Sequence, residues 1–237
     1  MCILMMMKKN VLDKGYVRLV DVLGNDLTPV NAARVSYDKE SSELSDKDER
    51  LLKFLAREGH TSPFRHAMLQ FEVYAPLMVA RQWWKYVVGS DHTMEAWNES
   101  SRRYITEKPE FYKVSPDEWR LAPENSKQGS GDPLWLYDAE SAKMATQALF
   151  EYVDTGLKAY EKALEMGICA EQARLFLPAY GLYVRWYWTA SLAGVAHFLN
   201  QRLEHDAQRE IQEYAKAVKY LAESKFPVSL KELLSNG

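Results

Sequence analysis

Residues 67–86, AMLQFEVYAPLMVARQWWKY, change period part-way along. Leu69, Phe71 and Val73 alternate with Gln70, Glu72 and Tyr74, the period-two pattern of a half-buried strand, most simply antiparallel. Pro76 closes that strand, because it has no N–H for a ladder, and its fixed φ suits it to open a helix. The spacing therefore predicts a strand over 67–75 running into a helix over Leu77–Tyr86.

Upstream, residues 16–23 (YVRLVDVL) read as a second strand. Thr28 and Pro29 then predict a helix start, with Thr28 as cap and Pro29 at the first helical position, running towards Arg34. Ser45 caps another helix, ended by Gly59. Downstream, the chain from Ser90 to Asp138 is irregular, and the segment 105–135, with its polar run ENSKQGSGD, predicts a mobile loop. Met144, Ala148, Tyr152, Leu157, Tyr160 and Leu164 keep helical spacing up to a stop at Gly167. The nearly apolar run 180–200 reads as a buried helical region, interrupted for a membrane span by Gly181 and Arg185. An amphipathic helix is expected from about Asp206 to Ser224. The sum is an α+β fold, an antiparallel sheet with long C-terminal helices, in a single domain over 1–237.

A formal net charge of −3 offers no general attraction to nucleic acid or to an anionic membrane, so neither is expected as a partner. Any phosphate site must be local, built from a few placed Arg and Lys. The two cysteines, Cys2 and Cys169, allow one bridge at most, and Cys169 reads as a small buried thiol. The opening MCILMMM lacks a basic leader and is too short to span a bilayer, which makes a cytoplasmic protein the default.

Three clusters carry chemistry. The first is GHTSPFRH at 59–66, a polar loop between helix and strand. Its hydroxyl, imidazole and guanidinium groups suit a phosphate or a cofactor edge, or simply a capped loop. No Cys or second His pair completes a metal set, and no metal is expected. The second runs from RQWWKY at 81–86 to NESSRRY at 98–104. Arg81 and Lys85 share a helix face at i and i+4, and like charges there repel unless an anion lies between them. Ser100, Ser101, Arg102 and Arg103 put hydroxyls and guanidinium forks in one short span, a competent phosphate cradle. Gln82 and Asn98 can present amides to a base edge. In the third, HFLNQRLEHDAQ at 197–208, Arg202 follows an apolar run where an unpaired guanidinium is costly. It needs a carboxylate, with Glu204 and Asp206 near in sequence, or a ligand. Arg174 likewise has apolar neighbours, and no Ser-His-Asp order or activated cysteine is evident.

The ordered strings GHTSPFRH, ARQWW, WNESSRRY, ARLFLP and HFLNQRLEHDAQREIQ resemble the flavin-dependent thymidylate synthase family over nearly the whole chain. The resemblance implies a homotetramer with FAD at subunit junctions, converting deoxyuridine monophosphate (dUMP) to deoxythymidine monophosphate (dTMP). Methylenetetrahydrofolate would be the carbon donor and NADPH the reductant, with no enzyme nucleophile. It implies dUMP contacts at Gln82, Trp83, Trp84, Lys85, Glu99, Ser100, Ser101, Arg102, Arg103, Arg174 and Arg202. Arg202 matches the arginine that polarises the pyrimidine. FAD contacts are implied at Ser62, Lys85, Tyr86, Val87, Glu99, Ser191 and His197.

The chain departs from the family pattern in one region. Lys85-Tyr86-Val87 stands where the family reads Arg-His-Arg, and the distance to Ser101 is longer by about six residues. Ala193 stands where many members carry an arginine. The FAD grip must then be rebuilt, with His92, Arg65 and Trp97 as candidates. Two other activities stay open at this point. One is flavin-dependent hydroxymethylation of a uracil nucleotide; the other is a non-catalytic nucleotide-binding oligomer that has lost FAD.

Overall fold

The computed structural model describes residues 7–88, 95–101, 108–124 and 129–235. Five strands form one antiparallel sheet in the order β1-β2-β3-β5-β4: β1 (Lys8–Val11), β2 (Gly15–Leu23), β3 (Met68–Pro76), β4 (Ala96–Glu99) and β5 (Tyr183–Ser191). The helices are α1 (Leu27–Arg34), α2 (Asp46–Arg57), α3 (Leu77–Val88), α4 (Ala139–Glu165), α5 (Ala170–Ala173), α6 (Leu192–Arg202), α7 (Arg209–Glu223) and α8 (Pro227–Ser235). The mixed helix and antiparallel-sheet architecture is the one expected.

Local details differ. Asp26, not Thr28, holds the cap position of α1, and Thr28 Oγ1 instead accepts the Asn25 N–H at 3.1 Å. Ser45 caps α2 in a reciprocal pair with Asp48, and Gly59 follows its end at φ +66°, a conformation that favours glycine. The largest correction falls on 180–200, which is a strand followed by a helix. Trp186, Trp188 and Ala190 point into the core while Arg185, Tyr187 and Thr189 point out. That period of two was masked because Tyr187 counts as apolar by composition although it lies on the open face. Strand β4, inside the segment read as irregular, pairs with β5 at Trp97↔Trp188 and Asn98↔Tyr187. Helix α8 was not anticipated. Cys169 is exposed, not buried, because it precedes α5 at the surface.

One sheet face packs on the helices and the other is polar. Val17, Leu19, Leu69, Phe71, Val73, Trp186 and Trp188 join α3, α6, α7 and α8 in the main core. At its centre Trp83 is 0% exposed, stacked on Phe198 with ring centres 4.4 Å apart and edge-on to Trp186 and Trp188. This aromatic cluster locks α3 and α6 onto β5, and truncating Trp83 to Ala would cost about 3–5 kcal/mol. A smaller cluster of Phe111, Tyr160, Ala163, Ala173, Leu177 and Leu182 sits under α4. Within the segment 105–135, Trp119 and Arg120 bond to α4 and α7. Trp119 Nε1 donates to Thr146 Oγ1 at 2.8 Å, and Arg120 pairs with Glu210 at 2.6 Å.

Candidate functional site

On α6, Val195, Phe198, Leu199 and Arg202 fall on one buried stripe at helical spacing. The residue closing that stripe is thus a cation, and Arg202 is only 8% exposed. On α3 the locking of Trp83 fixes the rotation of the helix. Gln82 and Tyr86, at i and i+4, then share the flank that meets the end of α6. Arg202 Nη1 donates to Gln82 Oε1 at 3.4 Å, a long contact. Its guanidinium carbon lies 3.9 Å from the centre of the Tyr86 ring. The Arg202 Nε is buried and has no hydrogen-bond partner among the described residues.

These groups line a cavity of 680 Å³, together with Lys85, Gln201 and the stretch 204–208. That is room for a nucleotide-sized ligand. Glu204 and Asp206 border the same space, yet among the described residues Arg202 forms no ion pair. Glu204 instead lies 4.0 Å from His205. Of the two partners the sequence left open for Arg202, a carboxylate or a ligand, the described residues supply no carboxylate.

The remaining expected residues divide among other places. Arg81, Trp84, Trp97 and Glu99 border a second cavity of 300 Å³ between α3 and β4. The Glu99 carboxyl is pushed above its ordinary value by its crowded setting, opposed by a hydrogen bond from Trp97, although solvent still reaches it. Ser100, whose N–H donates to the Arg185 carbonyl at 2.8 Å, borders a third cavity of 540 Å³ beside Arg185, Lys14 and Lys108. Ser101 is half-buried at the end of the same stretch. Arg174 is exposed, with its Nε donating to the Glu171 carbonyl at 3.2 Å. Leu175 beside it is 81% exposed. Arg102, Arg103 and His92 lie outside the described residues. Gln82, Lys85, Tyr86 and Arg202 are therefore brought together within one chain, while Glu99, Ser100 and Arg174 are not brought to them.

Among the expected flavin contacts, Ser62 is exposed and begins a 3-10 turn, Ser62–Arg65. Arg65 in that turn reaches Thr61 Oγ1 at 3.4 Å and has a buried Nε without a partner. His197 is half-buried on α6, its ring centre 6.1 Å from that of Tyr86. Two expected residues are corrected by their surroundings. Trp83 is enclosed in the core and has no surface for a nucleotide. Ser191 is fully buried, and its hydroxyl caps α6 by accepting the Gly194 N–H at 3.1 Å. Val87, partly buried, packs one side against the main core and keeps some exposed surface. Trp97 stacks one face on Trp186 at 4.7 Å and borders the second cavity.

Sequence reasoning passed over Glu95. Its carboxylate accepts the Trp188 Nε1 hydrogen bond at 3.2 Å, and burial raises its pKa to about 7. A side chain on Gly194 would meet its Oε1 at 2.5 Å, so the acid lies against the first turn of α6. The only available signal was an acid immediately preceding the alternating A-W-N-E of β4.

The model of the thymidylate synthase complementing protein family matches residues 18–228. The chain belongs to that family. It is 37% identical to a flavin-dependent thymidylate synthase of Thermosipho africanus, over 96% of this chain and 94% of the relative. It is 39% identical to one of Thermotoga neapolitana, over 93% and 91%. Among solved structures it resembles a UMP/dUMP methylase, PolB, from Streptomyces cacaoi. The form bound with 5-Br dUMP aligns at a TM-score of 0.81 and 26% identity, over 97% of this chain and 98% of that one. The form bound with 5-Br UMP aligns at 0.80 and 25%, over 96% and 97%. Membership makes the chain an enzyme of the flavin-dependent thymidylate synthase type.

Proposed function

We propose that the chain methylates dUMP to dTMP, with FAD as the flavin, methylenetetrahydrofolate as carbon donor and NADPH as reductant. The observation that carries this reading is Arg202, a buried cation with no carboxylate paired to it among the described residues, facing a nucleotide-sized cavity beside Gln82. A charge left unpaired in a dry setting is costly unless a ligand completes it.

The donor set fits a flavin dinucleotide. The orphaned Arg65 Nε and the exposed Ser62 hydroxyl occur in one turn, and an anionic diphosphate would satisfy both. His197 offers a further polar edge. When bound, the flavin supplies the hydride chemistry, so the protein need only position and polarise.

The chain's own residues then take distinct parts. With Gln82 Oε1 turned to Arg202, its amide N–H groups are left to face a pyrimidine oxygen. The free donors of Arg202 stabilise charge developing on the pyrimidine ring, an electrostatic role. Lys85, exposed at the rim, supplies a point charge for phosphate where the family carries an arginine fork. No cysteine lines this cavity among the described residues, and we assign no nucleophile. Arg174 with Ser100 to Arg103 would complete the site from other copies in a homotetramer. The exposure of Leu175 and of Tyr180, 70% exposed, supports such packing.

The test is an absorbance spectrum of the pure protein, anaerobic bleaching with NADPH, and quantified product after addition of folate with dUMP or UMP. Flavin bands, bleaching and dTMP are the expected results. UMP belongs in the assay because the similar structure is described as a UMP/dUMP methylase. A colourless protein inert after reconstitution with FAD would overturn the proposal, and a hydroxymethylated product would replace it.

A further inference from the structure

Arg202 is held against an aromatic ring although two acids border the same cavity. Glu204 and Asp206 border its cavity, and neither forms an ion pair with it among the described residues. The ring of Tyr86 lies 3.9 Å from the guanidinium carbon instead. A carboxylate would neutralise the cation and consume its in-plane donors through a fork of hydrogen bonds. An aromatic face attracts the cation through its quadrupole and takes up no N–H group. The ring contact takes up none of the guanidinium's donors, and its buried Nε has no hydrogen-bond partner among the described residues.

The orientation is fixed from two directions. Gln82 meets an edge nitrogen, and Tyr86 meets the flat side. Both belong to one flank of α3, and that helix is locked in rotation by Trp83 stacked on Phe198. His197 stands near the ring of Tyr86, with centres 6.1 Å apart.

We propose that Tyr86 is a positioning residue for Arg202, a neutral counter-surface that fixes the guanidinium plane and leaves its edge free for a planar heterocycle with adjacent carbonyl and ring-nitrogen acceptors. The inference rests on the reading of Arg202 as the group that meets the pyrimidine. It also gives a physical role to one of the positions where the chain departs from its family. Tyr86 is spent on the arginine and not on the cofactor.

The test compares Tyr86→Phe with Tyr86→Leu in the full-length, flavin-loaded protein. Titration with dUMP is set beside titration with 2-deoxyribose 5-phosphate, which lacks the base. Tyr86→Leu is expected to weaken dUMP about tenfold, within the range of a desolvated cation–ring contact, and to leave the sugar phosphate within about twofold. Tyr86→Phe keeps the ring and rescues dUMP affinity. In protein labelled with ¹⁵N-arginine, the Arg202 Nε–H resonance is assigned by its loss in Arg202→Lys. Ring current should shift it upfield in the parent and in Tyr86→Phe, and the shift should vanish in Tyr86→Leu. Equal loss of both ligands in Tyr86→Leu would mean structural damage alone and would overturn the proposal. So would failure of Tyr86→Phe to rescue, or an unmoved resonance. If the parent binds no dUMP, the proposed function fails on its own account, and the resonance still decides whether Tyr86 orients Arg202.

Discussion

Among the charges this chain takes out of water, Glu72 and Arg202 are treated by the fold in opposite ways. Glu72, on the outer face of the sheet, is 7% exposed and surrounded by partners. Tyr16 donates to it at 2.8 Å, Arg18 Nε at 2.7 Å, and Arg185 stands 4.0 Å away. Burial pushes its pKa up, but the hydrogen bonds from Arg18 and Tyr16 and the nearby cations outweigh that and hold the carboxyl below its usual range. Burial first, and then the same carboxylate, push the Tyr16 phenol up to about 12. Arg202 is as deeply buried and has one long hydrogen bond, an aromatic ring and an idle donor. A charge whose needs are met within the chain serves the fold. A charge left incomplete is available to a ligand, and that difference separates a structural cluster from a site.

The largest expected effect comes from altering the incomplete charge while keeping its sign. Arg202→Lys retains the cation and loses the planar fork. Methyl transfer is expected to fall about 100-fold or more, some 2.7 kcal/mol of transition-state stabilisation, with flavin content unchanged. Single-turnover oxidation of prereduced enzyme, with dTMP measured in the quench, reads it directly. A near-normal rate would make Arg202 a structural residue and dissolve the contrast with Glu72.

The opposite change belongs to the complete cluster. Glu72→Ala leaves Arg18 and Tyr16 without their acceptor and is expected to lower unfolding free energy by about 2–3 kcal/mol, the half-exposed Arg18 recovering part of the loss in water. Turnover per folded molecule should hold. Since the folded pKa of Glu72 is depressed, its contribution is present above the unfolded value and is lost as pH falls through the folded one. The gap in Tm between parent and variant should therefore narrow below about pH 4. A gap independent of pH would show that the network stabilises by packing and not by charge.

Much of this contrast was legible before any coordinates. Arg202 stood out because a charge followed an apolar run, and the strands around Val17 and Phe71 announced themselves by alternation. What stayed hidden was relational. Tyr187 on the open face of β5 hid the alternation of that strand, so a strand and a helix merged into one apolar run. Trp83 lies between candidate residues in sequence, but the rotation of α3 that buries it is set by Phe198, more than a hundred residues later. Glu204 and Asp206 were the natural partners of Arg202 by proximity along the chain. Both acids line the same cavity without pairing with the arginine among the described residues, and the ring of Tyr86 arrives from another helix.

Removing the incomplete charge should spare stability where removing the complete one harms it. Arg202→Met keeps the length of the side chain and takes away a buried cation that has no acid to offset its desolvation. The ring contact is lost as well, so the two changes partly cancel. The expected Tm is equal to the parent's or higher by about 2–4 °C, roughly 1 kcal/mol, in a variant that no longer methylates. A drop of several degrees in a thermal melt would mean that Arg202 is satisfied after all within the free protein.

Glu95 tests the rule at its smallest scale, since it lies between the two cases. It has a hydrogen bond from Trp188 but no cation paired with it among the described residues, and burial lifts its carboxyl to about 7. A carboxyl raised in the folded state holds its proton more tightly there than in the unfolded chain, whose value is near 4.5. It costs nothing below that unfolded value, where it is neutral in both states. As pH climbs from about 4.5 to 7 the unfolded chain ionises first, and the folded state loses stability relative to it. Above pH 7 the loss is complete. Glu95→Gln keeps the shape and an oxygen for Trp188 while abolishing the titration. The variant should match the parent at pH 4.5 and melt slightly higher at pH 8. The gain is under about 1 kcal/mol, because solvent reaches part of the group and screens its charge. Thermal melts of both proteins at the two pH values decide it. Equal Tm at pH 8 would mean that the carboxylate is stabilised by contacts beyond Trp188, which would move Glu95 to the side of Glu72.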